Sequence, residues 1–193
     1  MSFVRRWLDA SESVDQVDGV AAAAQAWLRR AVGDSTVERV LGGAWAGHPL
    51  HPATISLPIG LWFASALLDT VPGNEENVNR LIRAGLLSVP VVAAAGLVDW
   101  STLDVRQRRV GVLHALANTT ASLCFLISYR HRKRGRQRAG RAWSLLGLAA
   151  VAVGGALGGH LSYALGAGMY RWSRKGQLPL TERLRPTRRR SAG

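Results

Sequence analysis

The chain has 193 residues, a formal net charge of +13 and a mean hydropathy of only +0.05. The average hides a block pattern: charges gather at the ends and in short clusters between long apolar runs, and a charge excess of this size selects nucleic acid or an anionic membrane surface as neighbour. The one cysteine, Cys124, lies inside an apolar run, which excludes a disulfide framework or a zinc knuckle within one chain.

Residues 1–46 read as an N-terminal amphipathic, interfacial segment. Met1 to Leu8 lacks an apolar core followed by a small-residue cleavage site, so no removable signal peptide is expected. From Glu12 to Val32, Val14, Val17, Ala21, Ala24, Leu28 and Ala31 recur at helical spacing. Acids at the start (Glu12, Asp15, Asp18) and Arg29 and Arg30 at the end suit the helix dipole, and Ser11 or Ser13 is the expected N-cap.

Four apolar runs follow. The first span is expected at about 52–71, with Pro52 in its first turn, Pro58 as a kink and Asp69 near its far end. The second covers about 81–100 and closes on Asp99 and Trp100. The third, about 110–129, carries His114 and Asn118 on one face, and is followed by the basic stretch Arg130 to Arg138. The fourth covers about 142–168, with Gly154, Gly155, Gly158 and Gly159 as small-residue ridges for a neighbouring helix. Residues 171–193 form a basic tail, expected to be largely disordered. Four such runs leave no polar helix face for water. The predicted fold is all-α: an integral membrane antiparallel four-helix bundle, residues 47–170, behind an N-terminal amphipathic helix.

Antiparallel spans put both termini and the second loop on one side, here called the terminal side. His48 and His51 precede the first span there. His114 enters from the same side, about 7 Å deep at 1.5 Å per residue. His160 lies in the last third of the fourth span, toward that side again. His131 falls in the opposite basic stretch and reads as a solvated charge. Histidine in a membrane segment is costly and marks a functional site by default. Two readings stay open. In the first, His48, His51, His114 and His160 ligate haem b, or a copper, iron or zinc ion, while Asp99, Asn118 and Tyr163 orient the imidazoles. In the second no cofactor is held, and the histidines are interhelical hydrogen-bond groups of a structural or accessory subunit. A third, a channel or transporter, needs a water-filled path past Asp69, Asp99 and His114. No nucleophile–base pair, phosphate loop or carboxylate pair supports an enzyme assignment. Lipid accounts for the charge, so nucleic acid is not expected as a partner.

The strings Gly47-His48-Pro49-Leu50-His51-Pro52, Leu57-Pro58-Ile59-Gly60, Gly96-Leu97-Val98-Asp99-Trp100, Arg109 to Asn118 and Gly158-Gly159-His160-Leu161, with Asp69, resemble the membrane family catalogued as domain of unknown function 2231. The resemblance covers roughly residues 40 to 170. It implies a four-helix, multi-pass protein of the bacterial plasma membrane. It also implies an architecture similar to b-type membrane cytochromes and an electron-transfer role, with exchange to quinone. Some members carry a Rieske iron–sulfur domain after the last span. This tail lacks the cysteine–histidine pairs of that domain, so a Rieske-type or other redox partner would be a separate protein.

Overall fold

The computed structural model describes residues 3–33 and 35–168. The predicted basic tail lies outside the described residues. Within them the regular elements are all helical: α1 (Phe3–Ser11), α2 (Asp18–Val32), α3 (Thr36–Leu41), α4 (Leu50–Thr54), α5 (Ser56–Leu68), α6 (Glu75–Trp100), α7 (Val105–Lys133) and α8 (Gln137–Gly159), the last continued by a π-helical turn, His160–Ala164, with short 3-10 turns at Asp15–Val17 and Ala44–Ala46.

The N-terminal segment departs from the expectation. Helix begins at Phe3 and is interrupted after Ser11, whose hydroxyl turns back to the Leu8 carbonyl (2.5 Å) instead of capping a following helix. α2 starts at Asp18 behind Val17, with no side-chain cap. Tertiary contacts explain the break. Glu12 pairs with Arg106, and Asp18 pairs with Arg109 at 2.5 Å, so these acids also serve the bundle; Asp18 in the first turn of α2 and Arg29 and Arg30 in its last keep the expected dipole pattern. Gln25 donates to the carbonyls of Trp100 and Leu103, and Arg29 donates to Ser101, so α2 fastens over the α6–α7 loop.

α4 and α5 run as one 19-residue stretch, Leu50–Leu68, joined at Ile55. Pro58 has no N–H for the Thr54 carbonyl, and the threonine hydroxyl bonds back to Leu50 at 2.8 Å in the same turn. With α6, α7 and the α8 stretch Gln137–Ala164, this makes four helices long and apolar enough to cross a membrane. α7 begins with a capping box, Asp104 accepting from the Gln107 backbone while the Gln107 side chain accepts from Asp104.

Neighbouring spans pack in the cyclic order α5, α6, α7, α8 and back to α5, which places α5 and α7 across a diagonal. Three side-chain layers cross that diagonal. At the terminal side the rings of His51 and His114 meet. In the middle Trp62 stacks on Phe125, with centroids 4.3 Å apart, inside the apolar cluster of Val78, Ile82 and Ala121. At the far end the Asp69 carboxylate takes two hydrogen bonds from buried Arg132, at 2.9 and 2.7 Å, and one from Arg141. In sequence, Arg132 follows Asp69 by 63 residues, and the same offset joins His51 to His114 and Trp62 to Phe125. The partner helices repeat too. Gly85 lies against the Trp62 ring and Gly147 against Phe125; Gly96 lies against His51 and Gly158 against His114. The bundle is therefore two tandem hairpins, α4/α5–α6 and α7–α8, that use the same contacts.

The Asp69–Arg132 pair sits almost wholly out of water, with the arginine also bonded to Ser128. Burial pushes the Asp69 carboxyl up, but hydrogen bonds and charge from Arg132 and Arg141 outweigh it and hold its pKa below the ordinary value. Its stabilising contribution is thus complete above the ordinary carboxylate pKa and is lost as pH falls through the lowered one. Asp69→Asn should leave the Arg132 charge uncompensated and cost about 3–5 kcal/mol. Arg141→Gln, at an exposed side chain, should cost at most about 1 kcal/mol. Thermal unfolding in detergent, followed by circular dichroism, separates the two.

Candidate functional site

The histidine layer is built by all four spans. His51, in the first turn of α4, lies against α6, its Nδ1 2.9 Å from the Val92 carbonyl oxygen. His114, in α7, lies against α8, its Nδ1 2.8 Å from the Gly154 carbonyl oxygen. A carbonyl only accepts, so both rings carry their proton on Nδ1. The two rings meet edge to face, centroids 6.0 Å apart and planes at 84°. Asn118, one turn along α7, donates its amide to His114 Nε2 at 2.9 Å. His114 thus has both nitrogens bonded.

Glycine makes this possible. A Cβ on Gly96 would stand 2.8 Å from the His51 ring, one on Gly158 2.9 Å from the His114 ring, and one on Gly154 2.7 Å from Asn118 Oδ1. The expected ridges therefore divide. Gly154 and Gly158 admit α7 side chains, while Gly155 and Gly159 face open space. Gly111 accommodates Trp100, whose indole N–H points to the Arg108 carbonyl.

The other expected residues lie elsewhere. His48 is exposed, with Nδ1 3.1 Å from the carbonyl of Pro49. His160, in the turn after α8, pairs through Nε2 with Glu12 at 2.8 Å. Asp99 is half-buried in the last turn of α6, and Tyr163 is 85% exposed. Glu12 also accepts from the Arg106 guanidinium. Burial raises the Glu12 carboxyl, but the bonds from Arg106 and His160 prevail and lower its pKa. Asp9, Glu12 and His160 bring one ligand atom each within 4.8 Å of one another, so they are a second group with metal-binding donors. There, however, Arg106 already neutralises Glu12.

Residues 47–171 match the model of a family described as "Predicted membrane protein (DUF2231)". The chain belongs to that family. No curated protein and no solved structure matches it. The DUF2231 region contains His51, His114, Asn118, Val92, Gly96, Gly154 and Gly158, so the paired-histidine layer lies wholly inside it. Glu12 lies outside, so the His160 pair ties the DUF2231 bundle to the N-terminal extension. The protein is a membrane protein with four candidate spans, and its lipid contact follows from them.

Sequence reading missed the backbone partners Val92 and Gly154, the Glu12–His160 pair and the burial of Arg132. A usable signal was present. Gly85 and Gly96 are spaced as Gly147 and Gly158 are, and each pair flanks a Val-x-Val.

Gly158→Ala should force the His114 ring aside and cost about 1–3 kcal/mol. Gly155→Ala, on the open face of the same helix, should be neutral or stabilising by up to about 1 kcal/mol. Paired thermal melts check this contrast.

Proposed function

We propose that the His51–His114 pair holds a single metal ion and that the protein carries electrons in the bacterial plasma membrane. The supporting observation is the shared tautomer. Each ring gives its Nδ1 proton to a backbone carbonyl of the neighbouring span, which leaves Nε2 as the ligand nitrogen. Ligating histidines are commonly fixed in this way. Copper or iron suits imidazole and would supply the one-electron couple; zinc would bind but carry no electrons. A quinone, or a separate Rieske-type or other redox protein, would exchange the electron. His48 and His160 stand outside this pair.

Haem b fits this packing less well than an ion. The space beside Gly96 and Gly158 is taken by the imidazoles, and that beside Gly154 by Asn118, all within 3 Å of a would-be Cβ. A macrocycle would have to part rings already in contact.

One observation favours a different reading. Asn118 occupies Nε2 of His114, so this imidazole is satisfied without a ligand. In that case the histidines join spans, and the protein is a non-redox structural or accessory subunit.

Metal analysis and an absorption spectrum of protein purified from metal- and haem-replete cells separate these readings. Bound copper or iron, lost in His51→Ala and in His114→Ala, supports the ion. Asn118→Ala should then bind as well or more tightly, because it removes a competitor for Nε2. A Soret band would replace the ion by haem. A colourless, metal-free wild type, with Asn118→Ala costing only about 1 kcal/mol of stability, would establish the accessory role.

A further inference from the structure

α1 has one apolar side, on which Phe3, Val4, Trp7 and Leu8 lie at helical spacing, with Arg5, Arg6 and Asp9 on the other. The bundle covers only part of the apolar side. Leu8 packs on the cluster of Val110, Leu157 and Leu161, which also takes in Leu113. Phe3 stays 76% exposed, Val4 55% and Trp7 39%. The depth of this contact matters. Val110 is five residues into α7, about 7 Å along the helix, within the third candidate span. A helix resting beside that cluster lies beside the bundle wall near the start of that candidate span. Glu12, just past its end, fixes it there by pairing with Arg106 on α7 and His160 after α8. Trp45, five residues before the first span, has a similar form: its indole N–H bonds to the Val40 carbonyl at 3.1 Å while the ring is 71% exposed. Exposed aromatic rings beside arginines are the composition of a membrane–water boundary.

We propose that α1 lies half-sunk in the terminal-side leaflet, with Phe3, Val4 and Trp7 among acyl chains and Arg5 and Arg6 against anionic phospholipid headgroups. The guanidinium groups meet phosphate and the headgroup charge, while the apolar side continues the lipid-facing wall of α7 and α8. This inference is independent of what the histidine pair holds.

The test uses the full chain with Trp7→Cys in a Cys124→Ala background, labelled with a nitroxide and reconstituted in phosphatidylcholine vesicles with or without phosphatidylglycerol. Oxygen collisions should exceed those of a water-soluble nickel chelate several-fold, and phosphatidylglycerol should raise that ratio further. Arg5→Gln with Arg6→Gln should abolish the rise and keep the phosphatidylcholine value. Preferential access of nickel would place α1 in water and overturn the proposal. Poor access of both reagents with dipolar broadening would put a second copy on this face and overturn it equally. A ratio indifferent to phosphatidylglycerol would reject the headgroup contact. Phe3→Cys supplies the same readings if Trp7→Cys fails to fold.

Discussion

The contact between the first and third spans sets the arrangement of everything else. α5 and α7 are not neighbours around the ring; they meet only through side chains that reach across it. Each layer of that contact has a different chemistry: imidazole on imidazole, indole on phenyl, carboxylate on guanidinium. All three share one offset, so a slip of α7 along α5 would break them together. Lipid tails are as apolar as the helix surfaces, so burial of hydrocarbon alone would not hold such a register. Directional groups can. The ion pair at one end and the carbonyl-anchored imidazoles at the other are the groups that distinguish one register from the next.

The middle layer separates the two polar ones. Trp62 and Phe125 stack among Val78, Ile82 and Ala121, all deeply buried. The Trp62 indole N–H bonds to the Ile82 carbonyl, 3.3 Å away, and does not face a cavity. On one side stand His51, His114 and Asn118; on the other, Ser128, Ser144, Arg132 and Asp69. This placement counts against a water path past Asp69 and His114. Asp69 is already held by two arginines, and an aromatic plug lies between it and the histidines. It suits a site entered from the terminal side, next to the region fastened down by α2.

How much of this could be read from the sequence depends on the kind of information required. Apolar block length is a one-dimensional property, so four spans and the all-α class were legible from it. That His51 and His114 come to the same end of the bundle was legible too, because loop alternation fixes the end at which each lies. Rotation about each helix axis is different, since it depends on which side chains interlock. His48, His51, His114 and His160 could therefore be placed in one half of the bilayer but not sorted into a pair, a surface residue and a partner of Glu12. The glycines show the same limit. Spacing marked Gly154, Gly155, Gly158 and Gly159 as two ridges, and only the packed helices reveal that one ridge houses His114 and Asn118 while the other is bare. Arg132 looked like one charge among many in a basic run. Its burial follows from Gly140, which leaves room for its side chain on the way to Asp69.

The tandem hairpins also indicate where to look for what is particular to this chain. Two copies of one contact scheme would give two equal halves. Here the halves share the contact scheme but few side chains, and two of the differences fall beside the polar contacts. The counterpart of Arg132 is Asp69, so opposite charges face each other where identical ones would repel. The counterpart of Asn118, at the same offset, is Ile55, which has no side-chain group to offer His51. His114 is consequently bonded at both nitrogens, while His51 has an Nδ1 anchor and no asparagine of its own. A purely structural staple would gain from the same amide on both sides, since each satisfied nitrogen in lipid removes a desolvation cost. The two imidazoles therefore differ at Nε2: that of His114 accepts from Asn118, and no asparagine stands at the corresponding place beside His51.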